Sequence, residues 1–167
     1  LYTRAEVEAA VERMAAEVTA AIGRKDPLVL AVMTGALIPA GALLTHLDFP
    51  LQIDYIHATR YAGATSGGFL EWIAHARMPM RGRTVLIVDD ILDEGHTLAA
   101  ILEACREEGA KEVLSAVLVE KIHDRRHQGL KADFVGMEVE DRYVFGYGMD
   151  YKGYLRNAPG IYAVKGM

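Results

Sequence analysis

The chain has 167 residues, of which 51% are hydrophobic and 25% are charged, an ordinary composition for a globular protein. This length suffices for one α/β domain with a buried core and is too short for two. The net charge of −5 argues against a broad nucleic-acid-binding surface, and one cysteine, Cys105, excludes an internal disulfide. A free cysteine favours a reducing, cytoplasmic location, and no apolar run reaches membrane-spanning length. Because the chain opens on Leu1 instead of Met, we expect residues before it.

The first part of the chain predicts a helix, a strand and a glycine turn. Residues 3–23 combine capping-box spacing with apolar residues at helical intervals, which is typical of a helix with one buried face. Residues 28–33 form a buried-strand run that ends at Thr34 and Gly35, and a second helix follows it. Ligands of open α/β folds bind where a strand enters such a turn, although a structural turn without a ligand fits equally well.

A glycine-rich segment follows the next predicted strand. Residues 51–57 alternate between apolar and polar side chains and predict that strand. Residues 58–68 are rich in Gly, Ser and Thr, and residues 69–73 predict a returning strand. Long glycine-rich segments inside compact domains are commonly functional, so we predict a flexible loop at about residues 58–75. A hairpin tip without a function is the alternative.

The centre of the chain, residues 85–97, has the sequence VLIVDDILDEGHT. Its aliphatic run predicts a strand buried on both faces of a parallel sheet and ending at Asp89 and Asp90. Neighbouring strand side chains point to opposite faces, so this pair can serve one ligand only at the strand end. Asp93 and a glycine turn follow, and the helix beyond them can cradle an anion on its first N–H groups. Three carboxylates beside a phosphate cradle fit a sugar phosphate held with a divalent metal, whereas carboxylates that only cap a helix are the alternative.

The last part of the chain predicts further strands and an aromatic segment. Residues 113–119 and 132–137 are apolar runs of strand length. Lys121 follows the first run. Its position just past a strand, taken alone, predicts a solvent-exposed charge. Residues 141–157 are rich in aromatic side chains that ordinarily belong to a core, and residues 161–164 predict a short closing strand.

Residues 85–97 resemble the signature that binds 5-phosphoribosyl-1-pyrophosphate (PRPP) in type I phosphoribosyltransferases. The match is complete except at Glu94, where the family has Thr or Ser. Weaker matches in the family's order extend the resemblance from about residue 29 to 156, nearest to the hypoxanthine-guanine branch. The implied architecture is an α/β, type I phosphoribosyltransferase fold over residues 1–167 as a single domain. It consists of a mostly parallel twisted sheet flanked by helices, a flexible active-site loop and a small purine-binding hood at about residues 141–157.

The resemblance also implies a role for each matching residue. Asp93 would be the catalytic general base, and Asp89, Asp90 and Asp150 would hold Mg²⁺. The residues expected to bind the ribose phosphate of PRPP are Asp89, Asp90, Asp93, Glu94, Gly95, His96 and Thr97. The residues expected to bind pyrophosphate are Thr34, Gly35, Arg60, Tyr61 and Arg156. The residues expected to bind the purine are Lys121, Tyr143, Val144 and Asp150.

The implied reaction joins hypoxanthine or guanine to PRPP and gives IMP or GMP and pyrophosphate, with Mg²⁺. A lysine only donates hydrogen bonds, so Lys121 favours an oxo purine over adenine, whose 6-amino group also donates. Two alternatives stay open: a xanthine-preferring enzyme, and a regulator of the same fold that binds nucleic acid through the cluster at Arg125 and Arg126. We expect PRPP and an oxo purine as partners, without nucleic acid or membrane, and the family implies a homodimer or homotetramer.

Overall fold

The computed structural model describes residues 1–60 and 70–167, with the side chain of Arg60 outside the description. Its centre is a six-stranded sheet in the order β3-β2-β1-β4-β5-β6, in which every neighbouring pair is parallel except β2 with β3. The predicted mostly parallel sheet is therefore confirmed. The strands are β1 Leu28–Val32, β2 Gln52–Arg60, β3 Leu70–Ala74, β4 Thr84–Leu92, β5 Glu112–Lys121 and β6 Phe134–Val139.

Within the described residues, three α-helices pack against this sheet, and two short strands form a separate pair. Helix α1 contacts α2 and β6, while α3 contacts β5, β4 and β2. The two antiparallel short strands belong to the predicted hood and the chain end. No helix of the described residues has both the length and the apolar character to cross a membrane. The helices are α1 Arg4–Ile22, α2 Leu37–Leu44 and α3 His96–Glu107, and the short strands are β7 Val144–Phe145 and β8 Tyr162–Ala163.

Strand β4 occupies the centre of the sheet because its side chains are apolar on both faces. Val85, Leu86 and Ile87 are completely buried between the neighbouring strands and helices. Each such side chain contributes about 1.5–3 kcal/mol to folding by leaving water. Parallel pairing with β1 and β5 places the carboxyl ends of all three strands at one edge of the sheet. This edge is where open α/β folds bind ligands.

The structure differs from two predicted boundaries. The sequence predicts that β4 ends at its acidic pair, but β4 continues to Leu92, because Ile91 and Leu92 still pair with β5. Both ends of the segment predicted as a loop, at about residues 58–75, are strand instead, since residues 58–60 and 70–74 form an antiparallel pair. Its remaining positions, including Tyr61, lie outside the described residues.

Candidate functional site

The turn between β4 and α3 borders a small cavity, which we call the turn cavity. Gly95 has a φ of 91°, a backbone conformation that glycine adopts without strain, and it directly precedes α3. The first N–H groups of a helix have no partner within it, so the start of α3 presents donors at this turn. The cavity measures about 210 Å³. Its lining includes Asp89, Asp93, Glu94, Gly95, His96 and Thr97.

A second cavity, the hood cavity, borders Asp90 and Asp93 and measures about 230 Å³. It contains all four residues for which the sequence predicts contact with a purine. Tyr143 offers a partly exposed aromatic ring, and Lys121 offers the one cationic side chain of the described lining. The lining consists of Asp90, Ile91, Asp93, Lys121, Tyr143, Val144, Met149 and Asp150. A larger cavity of about 470 Å³ over α3 includes none of Asp89, Asp90 and Asp93.

Asp93 is the acidic residue that borders both cavities. Its Oδ2 accepts a hydrogen bond from Nζ of Lys121 at 3.1 Å, and its Oδ1 lies 2.6 Å from Nε2 of His123. Partial burial alone would raise the pKa of the Asp93 carboxyl. The hydrogen bonds from His123 and Lys121 outweigh burial and lower this pKa below its ordinary value. Asp93 is therefore ionised and held by two donors.

Asp89 and Asp90 lie in a contrasting environment. Asp89 Oδ1 accepts the backbone N–H of Asp90 at 2.8 Å, and Asp90 Oδ1 accepts that of Ile91 at 2.7 Å. Within residues 1–60 and 70–167, neither carboxylate has an ion-pair partner within 4.0 Å. Burial, and then the neighbouring charge of Asp90, raise the pKa of Asp89 well above its ordinary value, and burial also raises that of Asp90. Two adjacent carboxylates without a cation form a favourable place for a positive ion.

The turn after β1 approaches the acidic pair closely. A side chain at Gly35 would overlap the carboxylate of Asp90, so the approach requires glycine. Thr34 beside it is exposed and follows a cis peptide bond. Arg156 donates from Nη1 to the carbonyl of Gly148 at 2.7 Å, and its Nη2 lies 3.7 Å from Asp150 Oδ1.

Of the residues predicted for pyrophosphate, the structure thus places Gly35 against Asp90 and joins Arg156 to the hood. The side chain of Arg60 and all of Tyr61 fall outside the description.

The loop after β5 contributes contacts for which the sequence gave no expectation. Arg126 donates from Nε to the carbonyl of Asp93 at 2.7 Å and from Nη2 to the carbonyl of Lys121 at 2.8 Å. Its Nη1 lies 3.0 Å from the Glu120 carboxylate, and the backbone N–H of His127 donates to the carbonyl of Glu94 at 2.7 Å. This loop therefore fixes the β4–α3 turn to the end of β5. In the sequence, this loop is marked by two consecutive arginines after a predicted strand. That pattern does not identify the groups that the arginines contact.

The remaining charges near the turn are also paired. Arg125 makes two hydrogen bonds to Asp141, at 2.8 and 3.1 Å. The half-exposed Glu94 carboxylate lies 3.7 Å from Arg125 Nε and 3.8 Å from His96 Nε2. The cluster at Arg125 and Arg126 is thus occupied by carboxylates and carbonyls. It offers little free positive charge to a nucleic acid.

Comparison with known proteins agrees with this fold. The family model of the phosphoribosyl transferase domain matches residues 1–152. The hypoxanthine-guanine phosphoribosyltransferase of Bacillus subtilis (strain 168) is 36% identical over 166 residues, covering 99% of this chain and 92% of the relative. The hypoxanthine-guanine-xanthine phosphoribosyltransferase of Tritrichomonas foetus is 33% identical over 165 residues, covering 99% and 90%.

A solved hypoxanthine phosphoribosyltransferase structure from Staphylococcus aureus superposes with a TM-score of 0.93 at 28% identity, covering 99% of this chain and 90% of that one. The fold defines a protein of the α/β class, and the paired cavities lie at the carboxyl edge of its sheet, where proteins of this class bind ligands. The chain belongs to the phosphoribosyl transferase family, so the resemblance inferred from its sequence and the fold that it implied are confirmed.

Proposed function

We propose that this chain is a purine salvage transferase that joins hypoxanthine or guanine to PRPP, giving IMP or GMP and pyrophosphate. The observation that carries the proposal is the position of Asp93 between the turn cavity and the hood cavity. A sugar phosphate at the turn and a base in the hood would meet beside this one carboxylate. The names of the relatives from Bacillus subtilis and Tritrichomonas foetus support the same substrates.

The proposed reaction is a displacement at the anomeric carbon of the sugar. The electron pair of a purine ring nitrogen forms the new bond to carbon, while the bond from carbon to the pyrophosphate oxygen breaks and its electrons leave with pyrophosphate. The transition state resembles an oxocarbenium ion, as in other glycosyl transfers. The proton on the purine nitrogen passes to the carboxylate of Asp93, which the structure keeps ionised.

The other residues of the two cavities position the substrates in this proposal. The N–H groups at the start of α3, with Gly95 and Thr97, cradle the 5′-phosphate. The exposed part of Tyr143 stacks on the base, beside the backbone of Val144. Lys121 donates to the 6-oxo group, which selects oxo purines. Thr34, Gly35 and Arg156, with Arg60 and Tyr61, are proposed for pyrophosphate.

The residues at the acidic pair fit Mg²⁺. Asp89 and Asp90 have no ion-pair partner among the residues that the structure describes, and Asp150 borders the hood cavity with Asp90. Within the described parts of the chain no group of three or more ligating side chains could hold a metal alone. This suits Mg²⁺, which binds through few carboxylates and completes its shell with substrate oxygens and water. When bound, Mg²⁺ would neutralise charge on the departing pyrophosphate.

Steady-state kinetics with PRPP, Mg²⁺ and each of hypoxanthine, guanine, xanthine and adenine tests the proposal. We expect turnover of hypoxanthine or guanine and none of adenine. Xanthine is included because the relative from Tritrichomonas foetus is named for it. Absence of turnover with all three oxo purines would refute the proposed function.

We also propose a single domain, from the chain length, a cytoplasmic location, from the free cysteine, and a homodimer or homotetramer, which the family resemblance implies. Light scattering coupled to size-exclusion chromatography measures the oligomeric state. A monomer at micromolar concentration would contradict that part of the proposal.

A further inference from the structure

His123 contacts the carboxylate of Asp93 from the interior of the protein. Its side chain is 3% exposed, and it borders neither the turn cavity nor the hood cavity. Its Nε2 lies 2.6 Å from Oδ1 of Asp93. Its Nδ1 accepts a hydrogen bond from the backbone N–H of Arg125 at 3.0 Å. The imidazole is therefore held from both ends.

These two contacts determine where the proton of the imidazole lies. A ring nitrogen that accepts a hydrogen bond has no proton of its own, so Nδ1 of His123 is unprotonated. The ring is then neutral and carries its proton on Nε2. It follows that Nε2–H is the donor and Oδ1 of Asp93 is the acceptor.

The two carboxylate oxygens of Asp93 therefore have different hydrogen-bond donors. His123 binds Oδ1. Because His123 lines neither cavity, a ligand in either cavity does not contact its side chain. Oδ2 is bound by Lys121, which lines the hood cavity and is the proposed donor to the purine. A purine that engages Lys121 loosens its hold on Oδ2, while Oδ1 stays in place.

On the basis of the proposed function, we propose that His123 is a positioning residue. It holds Oδ1 of Asp93 so that Oδ2 is the oxygen presented to the purine nitrogen. The terminal torsion of an aspartate is soft and has broad minima, so an untied carboxylate would rotate. A neutral imidazole orients the carboxylate without adding a second full positive charge beside the base. A lysine or arginine at this position would bind the anion more strongly and make it a poorer proton acceptor.

Two amide substitutions separate this role from simple packing. In His123→Asn the amide replaces the Nδ1 side of the ring, so it can still accept from Arg125 but cannot reach Asp93. In His123→Gln the amide nitrogen replaces Nε2 and can still donate to Oδ1. Loss of orientation should lower kcat of His123→Asn about 10–100-fold with the PRPP KM nearly unchanged, and His123→Gln should recover most of this loss.

The pH profile of kcat/KM supplies a second measurement. A hydrogen bond to the ionised form lowers the pKa of a carboxyl. Its removal in His123→Asn should therefore move the acidic limb of the profile to higher pH, while His123→Gln should follow the wild type. An unchanged kcat in His123→Asn, or equal losses in both variants, would overturn the proposal.

A measurement without substrates keeps this inference separate from the proposed function. Nitrogen-15 NMR of histidine-labelled protein in the free state should show His123 as the neutral Nε2–H tautomer. The Nδ1–H tautomer, or a charged ring at neutral pH, would overturn the positioning role. If wild-type protein turned over no purine, the proposed function would fail, and this spectrum would still decide the state of His123.

Discussion

The acidic pair in β4 and the aspartate three residues beyond it are held in opposite ways. Asp89 and Asp90 have no cationic partner within ion-pair distance in the described structure, and burial raises the pKa of both. Asp93 is bound by a lysine and a histidine, and these hydrogen bonds outweigh burial and lower its pKa. Burial is the main cause of the raised pKa values of the pair, whereas at Asp93 the hydrogen-bonding partners together outweigh it. The difference suits the two tasks proposed above, cation binding by the pair and proton acceptance by the ionised Asp93.

Removing the charge of Asp93 should have the largest effect. Asp93→Asn keeps the shape of the side chain but cannot accept the purine proton, so kcat should fall by roughly 10²–10⁴. PRPP affinity should stay within a few-fold, because the amide leaves the phosphate turn intact. Rapid-quench kinetics and PRPP titration measure the two quantities separately. A variant with near-normal kcat would exclude Asp93 as the base.

Removing the charge of Lys121, which contacts Asp93 and lines the hood cavity, should have the next largest effect. Lys121→Met should raise the purine KM by about 10–100-fold, the value of one hydrogen bond from a charged donor. It should also raise the pKa of Asp93, which carbon-13 NMR of its carboxyl can follow. Lys25→Met is a matched control, because Lys25 pairs with Glu112 at the opposite ends of the strands. A similar KM change in both variants would point to a general charge effect.

Neutralising the acidic pair should stabilise the free protein. Because the pKa of Asp89 is raised, the folded protein binds this proton more tightly than the unfolded chain does. The ionised carboxylate therefore lowers stability as the pH rises above about 4, the unfolded pKa, through the folded one. Asp89→Asn should raise Tm at neutral pH by roughly 2–4 °C, equivalent to about 1 kcal/mol.

Calorimetry without Mg²⁺ and PRPP measures this gain, which should disappear below about pH 4. A lower Tm at neutral pH would show that the Asp89 carboxylate has a stabilising partner in the free protein.

The smallest effect is expected at Glu94, the departure from the family signature. Its carboxylate is half-exposed beside Arg125 and His96, so solvent and salt screen its charge. Glu94→Thr should lower the PRPP KM about two- to threefold at low salt, and the gain should shrink at higher salt. Glu107→Thr, on the last turn of α3, is the control for net charge. A large loss of PRPP affinity in Glu94→Thr alone would show a positive role for this carboxylate.

Local patterns along the chain predicted most of the fold. The apolar run of β4 and the capping box at the start of α1 follow from residues close in sequence, and the structure contains both. The family resemblance predicted four residues on the purine side, and the structure brings all four to the lining of one cavity. The end of β4 was misplaced because its last pairs depend on the length of β5, which a carboxylate pattern does not reveal.

The contacts of His123 and Arg126 could not be predicted for a related reason. Both side chains lie about 30 residues beyond the carboxylate turn and meet it only because the loop after β5 folds back over it. Their sequence context, a polar stretch after a strand, is typical of solvent-exposed loops. The structure instead buries most of both side chains.

Arg126 has a consequence for the entropy of substrate binding. One guanidinium joins the carbonyl of Asp93 to the carbonyl of Lys121, and so ties the sugar side of the site to the base side. These two hydrogen bonds hold the end of β5 against the β4–α3 turn within the folded chain. Preorganisation of this kind removes ordering costs from association and from the approach to the transition state. Under the proposed function, the relative placement of the two substrates therefore depends on a side chain that borders neither of the two cavities.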